Sequence, residues 1–426
     1  MNENGMIVGI QEKPASIGKW IVLSLQHVFA MFGATVLVPL LTGLDVGVAL
    51  VASGIGTLIY ILCTKAKVPV YLGSSFAYIP AITAAVASAG GAGSAYFGLM
   101  VVGLIYIAVA IAIRFLGSSW LKKMLPPVVI GPMIIIIGMT LAPVAVSSSG
   151  LDGSQGWKVP LVASITFLSV VILSTKAKGF LRIVPFLVSI FIGYVASIAV
   201  GLVDLTAVFS GVQFFQLPDF RFVGTYKFDL SNVLMFAPLA FVTIAEHIGD
   251  HVVLGEITGK DFITDPGLDK TLLGDGIATF VAGAIGGPAN TTYGENTGVV
   301  AITRVGSVWV TGLAACFAIL LGFFGYIQAF INSIPWAVIG GMTIVLYGLI
   351  AANGVKILIK DRTDLGNMKN LIIVSTMLVI GLGGAALNLT AIVKLSGMSF
   401  AAIIGILLNV LINLIEKIGP KKEKAE

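Results

Sequence analysis

The chain has 426 residues, 57% of them hydrophobic and only 11% charged, with a mean hydropathy of +1.04. Soluble globular domains carry about 25% charged residues, so this composition excludes an ordinary soluble domain and fits an all-α polytopic membrane protein. The formal net charge of +5 would suit a nucleic-acid partner, but the basic residues are spread along the chain in a way that a membrane explains better.

The first 17 residues are polar and mixed in charge, without a basic start, a short apolar core or a small-residue cleavage site, so no cleaved signal peptide is expected. Apolar stretches of about 20 residues, long enough to cross a bilayer, then recur. They fall at 18–42, 45–64, 69–88, 94–115, 126–146, 158–175, 180–203, 231–255, 271–287, 290–302, 305–331, 334–353, 369–388 and 396–416, which makes fourteen predicted spans. The third and tenth are irregular. Cys63 and Cys316 both lie in apolar spans and read as packing residues, not as a disulfide or a structural metal site. With the N-terminus in the cytoplasm, only Lys158, Arg221, Lys227 and Lys394 of the 25 lysines and arginines fall on the outer side. That asymmetry is the positive-inside pattern, and it places both termini in the cytoplasm without invoking nucleic acid.

The chain also echoes itself. PPVVIGPM from Pro126 is answered by PWAVIGGM from Pro335, and Gln26-His27 by Glu246-His247. These echoes lay span 5 on span 12 and span 1 on span 8. An offset of seven spans, an odd number, makes the two halves inverted in the membrane, as in many transporters.

Polar residues at membrane depth are costly and concentrate where they have a use. All three histidines, His27, His247 and His251, lie in spans 1 and 8. Span 8 reads FVTIAEHIGDHVVLG: Glu246 and Asp250 share one helical face, His247 and His251 a neighbouring one. This cluster reads as a substrate or proton site, with a buried structural network as the alternative. Gln26 and His27 suit the support of a polar network. Asp275, near the start of span 9, suits a helix cap or a position near cytoplasmic water as well as a functional role, and Glu256 reads as solvated at a span end. No zinc spacing, nucleophile elbow or phosphate loop accompanies them, so an enzyme is not expected.

Spans 3 and 10 share one grammar. VPVYLGSSFAYIP and GGPANTTYGENTG each place a proline and β-favouring residues before a glycine-containing break. Irregular backbone at this depth is tolerated where it lines a cavity, and paired breaks in two halves mark a transport site. Half-helices starting there would offer free backbone N–H groups, while Glu246 and Glu295 would accept N–H groups. An inorganic anion gains from the first and is repelled by the second; a planar molecule with alternating N–H and C=O groups, such as a nucleobase, satisfies both.

The segments LSLQHVFAMFGATVLVP, YLGSSFAYIP, IAEHIGDH and NTTYGENTGVVAITR resemble the nucleobase:cation symporter family, also called nucleobase-ascorbate transporters, and within it the uracil branch. The likeness runs from about residue 14 to 416, and NTGVVAITR matches the family signature N-x-G-x(4)-T-[RKG] at Asn296, Gly298, Thr303 and Arg304. It implies a core domain at 18–120 and 231–331, a gate domain at 121–203 and 332–416, an extracytoplasmic connection at 204–230, cytoplasmic ends at 1–17 and 417–426, and a homodimer in the cell membrane. It further implies substrate binding by Glu246 and Glu295, ring-oxygen contacts from the backbones of Phe76 and Gly294, Tyr293 and Tyr347 beside the substrate, and Gln26, His27, His247, Asp275, Asn296, Thr303 and Arg304 as a supporting polar network. In that branch a histidine tied to proton coupling follows the span 8 glutamate by four; here the position is Asp250, with His251 one place later. The proton role is then shared among Asp250, His251 and Glu246. The function implied is proton-coupled uracil import by alternating access, with no cofactor besides the coupling H⁺. A purine permease of the same family and an anion exchanger on the same plan are the alternatives.

Overall fold

The computed structural model describes residues 6–88, 90–222, 226–388 and 394–418, with the side chains at 122, 388, 394–396 and 416–418 left aside. The predicted basic tail residues Lys421, Lys422 and Lys424, and the side chains of Lys394 and Lys417, lie outside the described residues.

The chain is mostly helical. In the first half come α1 (Ile17–Thr42), α2 (Val46–Cys63), β1 (Leu72–Ser74), a 3₁₀ turn (Phe76–Tyr78), α3 (Ile79–Val86), α4 (Gly91–Leu116), α5 (Ser119–Met124), α6 (Pro127–Thr140), α7 (Ala142–Ser148), α8 (Lys158–Lys176), α9 (Pro185–Ala199) and α10 (Leu205–Phe209). The second half holds α11 (Leu230–Thr258), α12 (Leu268–Ala284), β2 (Asn290–Thr292), α13 (Gly294–Thr303), α14 (Val308–Gly322), α15 (Gly325–Asn332), α16 (Trp336–Lys360), α17 (Met368–Leu382), β3 (Ala386–Asn388), β4 (Lys394–Ser396) and α18 (Gly397–Ile418). Among the described residues eight helical stretches are long and apolar enough to cross a membrane, with α6 and α7 together (Pro127–Ser148) counted as one of them.

Local chemistry sets many of these ends. Asp45 caps α2 through its carboxylate and the Val48 N–H at 2.7 Å, and Asp229 caps α11 through the N–H groups of Ser231 and Asn232, satisfying donors that a helix start leaves free. Pro127 and Pro185 begin α6 and α9, where a missing N–H costs nothing. The predicted span 5 is two helices, because Pro143 in the first turn of α7 removes a donor the continuing helix would need.

Two expectations need correction, the extent of the span at 369–388 and the packing role of Cys316. The span predicted over 369–388 ends as a helix at Leu382, and residues 386–388 form a strand paired antiparallel with 394–396; Gly383 and Gly384 interrupt the helix there. The connection at 204–230 contains α10 and is tied down by backbone bonds from Arg221 N to the Ile285 carbonyl at 3.1 Å and from Gln216 N to the Phe323 carbonyl at 2.9 Å. Cys316 is exposed on α14, whereas Cys63 is half-buried.

Helix packing falls into two sets. In one, α12 packs on α4 and α2, and α14 on α2 and α1; in the other, α16 packs on α6 and α8, and α17 on α18 and α6. The two halves of the chain meet in a short antiparallel sheet, with Leu72 opposite Thr292, Gly73 opposite Thr291 and Ser74 opposite Asn290. Gly73 is required by this pairing: a Cβ there would stand 2.4 Å from the Tyr293 ring.

Candidate functional site

From this two-stranded sheet each half-chain turns into a helix. β1 leads into the 3₁₀ turn at Phe76 and then α3; β2 leads through Tyr293 into α13 at Gly294. Gly294 occupies the first helical position, where a backbone N–H has no intrahelical acceptor, and a built Cβ there would meet nothing within 4 Å. Both helix starts line one cavity of about 360 Å³.

The two walls of that cavity differ. One carries Glu246 and Asp250 from α11, Phe76, and the run from Thr291 to Glu295; the other is built from α6, α9 and α16 by Ile134, Ile137, Phe186, Leu346, Leu349, Ile350 and Asn353. The first wall presents three carboxylates and two helix starts, the second an apolar face with a single amide. Glu246 and Asp250 share the cavity because they are four apart on α11. The Thr292 hydroxyl donates to the Asp250 carboxylate, which ties α11 to the sheet.

Tyr293 fastens the sheet to α1: its hydroxyl donates to the Ser74 carbonyl at 2.8 Å and lies 3.2 Å from the Thr35 hydroxyl. Asn296 does the same for α13, donating to the His27 carbonyl at 3.0 Å and lying 3.1 Å from His27 Nδ1. Gln26 adjoins this contact, with its Oε1 buried and unpartnered among the described residues.

A second polar cluster lies behind the cavity. Asp275 sits in the middle of α12, fully buried, with its carboxylate 2.8 Å from His247 Nδ1. His247 stacks on His251 at 4.1 Å between ring centroids, His251 Nδ1 donates to the His247 carbonyl at 2.6 Å, and His251 Nε2 meets the Tyr60 hydroxyl.

Of the residues singled out in the sequence, Glu246, Glu295, Phe76, Gly294, Tyr293 and Asp250 come together at the cavity. Several do not. Asp275 is neither a helix cap nor near water, because pairing with His247 draws it into the bundle. His251 points away from the cavity toward Tyr60. Tyr347 is buried beside the cavity with its hydroxyl unpartnered among the described residues, while Leu346, Leu349, Ile350 and Asn353 of the same helix line it. Thr303 and Arg304 stand at the far end of α13, where the Thr303 hydroxyl donates to the Val299 carbonyl and Arg304 is exposed in the left-handed conformation that ends the helix.

Sequence reasoning missed Thr292, Asn353 and Tyr60. Asn353 continues the 346, 349, 350 stripe at helical spacing, a signal that was there to be read. Tyr60 sits in the apolar run 58–63 and carried none.

The fold and this cavity define an integral membrane permease. A family model described as a permease family matches residues 18–390, and the chain belongs to that family. The chain is 48% identical over 414 residues to the uracil permease of Bacillus caldolyticus, covering 96% of this chain and 95% of that one. It is 44% identical over 423 residues to the uracil permease of Bacillus subtilis strain 168, at 97% and 96% coverage, and 41% identical over 420 residues to that of Escherichia coli strain K12, again at 97% and 96%. Among solved structures, the transmembrane domain of a cyanobacterium bicarbonate transporter, BicA, aligns with a TM-score of 0.60 at 18% identity, over 96% of this chain and 99% of that one. Murine Slc26a9, an anion transporter in the inward-facing state, aligns with 0.68 at 10% identity, over 95% and 69%. At such identities the likeness concerns the fold alone.

Proposed function

We propose that this chain imports uracil together with protons, by alternating access between two domains. The observation that carries the proposal is the cavity at the sheet, where Glu246, Glu295 and the helix start at Gly294 converge opposite an apolar wall. Three carboxylates repel an inorganic anion but accept ring N–H groups, the helix starts donate to ring oxygens, and the apolar wall takes the ring face. Relatives named uracil permease at 41–48% identity support the pyrimidine assignment.

In this reading the chain crosses the membrane fourteen times, in two inverted repeats of seven, with both termini cytoplasmic and the connection at 204–230 outside. The core comprises 18–120 and 231–331; the gate comprises 121–203 and 332–416. The two packing sets support that division. Glu246 and Glu295 bind the substrate with the backbones of Phe76 and Gly294. Tyr293 holds the helix start in place, and Tyr347 backs the gate wall. Asp250 carries the coupling proton and, because Thr292 joins it to the strand that leads into Gly294, its protonation is felt at the substrate contact. His27 and Asn296 fix α13 against α1, with Gln26 beside them in the supporting network, and the protein works as a homodimer in the cell membrane.

The test is uptake of labelled uracil into vesicles containing the purified protein, driven by an inward proton gradient and challenged with unlabelled xanthine and hypoxanthine. Accumulation that collapses with the gradient and yields to uracil but not to purines is the expected result. Competition by xanthine equal to that by uracil would overturn the substrate, and gradient-independent accumulation would overturn the coupling.

A further inference from the structure

At one end of the bundle, away from the substrate cavity, a groove of about 1040 Å³ opens between α5, the start of α6, the turn from α16 to α17, and α18. Its polar floor is continuous. Lys369 Nζ donates to Asn413 Oδ1 at 2.6 Å, Asn413 Nδ2 to Asn409 Oδ1 at 3.2 Å, and Asn409 Nδ2 to the Lys123 carbonyl at 3.2 Å. Asn409 and Asn413 are four apart in the otherwise apolar stretch 400–415 of α18 and turn one amide stripe into the groove. Beside this floor, which Lys369 helps to form, the lining adds the basic side chains of Lys123 and Arg362, and Trp120, whose indole N–H is buried without an acceptor among the described residues.

Two carboxylates share the lining, but both are engaged locally. Asp361 accepts from the Thr363 hydroxyl at 2.8 Å, and Asp364 from the Gly366 N–H at 2.8 Å. On α18 the groove is lined by the exposed apolar side chains of Val410 and Leu414, 43% and 49% exposed, and Met368, Leu411 and Ile415 are exposed elsewhere on α17 and α18.

We infer that this groove binds an anionic phospholipid of the cytoplasmic leaflet, its phosphate held by Lys123, Arg362 and the Trp120 N–H, and its acyl chains lying along α17 and α18. Basic pockets between helices at the cytoplasmic face suit anionic headgroups, and a buried indole N–H with no partner needs an acceptor. The inference rests on the orientation proposed above, which puts this end in the cytoplasm. The chain's own residues 421–426, KKEKAE, are a poor occupant because three lysines against two glutamates leave no net negative charge to offer a basic rim.

The test measures lipid retention by native mass spectrometry of the purified full-length protein, after exchange into mixed micelles containing phosphatidylglycerol or phosphatidylcholine. The protein should retain phosphatidylglycerol selectively, with retention falling roughly five-fold for each charge removed in Lys123→Gln and Arg362→Gln, and returning with the charge-preserving Lys123→Arg. A thermal shift with phosphatidylglycerol, absent in the Lys123→Gln/Arg362→Gln double variant, is the parallel readout. Equal retention of phosphatidylcholine, or undiminished retention by the double variant, overturns the inference. So does equal protection by inorganic phosphate alone, which would mark a simple anion site, or a double variant that changes oligomeric mass while keeping its lipid, which would mark a subunit contact. No nucleobase enters the assay, so its failure is separate from a failure of uracil uptake.

Discussion

Gly73→Ala tests whether the strand pairing at the sheet positions the substrate site. The added Cβ would stand 2.4 Å from two carbons of the Tyr293 ring and 2.8 Å from its hydroxyl oxygen. Tyr293 cannot yield freely, since its hydroxyl is bonded to the Ser74 carbonyl at 2.8 Å and contacts Thr35 at 3.2 Å, and its own N–H is bonded to the Tyr71 carbonyl at 3.1 Å. Overpacking of this kind costs about 1–3 kcal/mol. Either the strain remains and stability falls by that amount, or Tyr293 moves and carries Gly294, the next residue, with it. Substrate affinity would then fall by roughly 5- to 150-fold. Thermal melting of the purified protein and titration with uracil read the two outcomes separately. In a double-mutant cycle Tyr293→Leu, which removes the clashing ring, should make the Gly73→Ala effect distinctly smaller. Wild-type melting and affinity for Gly73→Ala, or strict additivity with Tyr293→Leu, would refute the reasoning.

Other predictions concern the carboxylates and the cluster behind them. Glu246→Gln keeps the shape but removes a charged acceptor facing the cavity, so uracil uptake should fall by roughly 10- to 150-fold; full proton-driven uptake in vesicles would remove Glu246 from its proposed role. Asp250→Asn should leave exchange of internal for external uracil running while abolishing accumulation against a gradient, and wild-type accumulation would locate the coupling elsewhere. His247→Ala leaves the fully buried Asp275 without its partner, a loss of about 3–5 kcal/mol that should appear as a lower melting temperature. Asp275→Asn in the same chain should restore much of it, and a double variant as unstable as the sum of the singles would mean that the pair is not coupled.

Much of this was legible in the chain itself, for physical reasons. A lipid environment demands long apolar helices, so the spans announce themselves by composition, and the cost of polar groups at depth made Glu246, Asp250, Glu295 and the broken spans 3 and 10 conspicuous. The spacing of Glu246 and Asp250 placed them on one face before any packing was known. Less local properties stayed hidden. The ends of α17 and the hairpin after it depend on competition between helix and strand pairing that hydropathy does not resolve.

What the sequence by itself determined is the membrane class, the long apolar helices, the paired breaks and the acidic residues, because each follows from composition or from spacing within one element. What only the tertiary structure decided is which of those residues meet. Packing of α11 on α12 turned Asp275 from an apparent helix cap into the buried partner of His247, and sent His251 to Tyr60 while Asp250 faced the cavity. Thr303 and Arg304, on the same short segment as the site in sequence, ended at the far end of the ten-residue helix that starts there. A helix separates its ends by about 1.5 Å per residue and turns neighbours to different faces, so nearness along the chain says little about which side chains share a cavity.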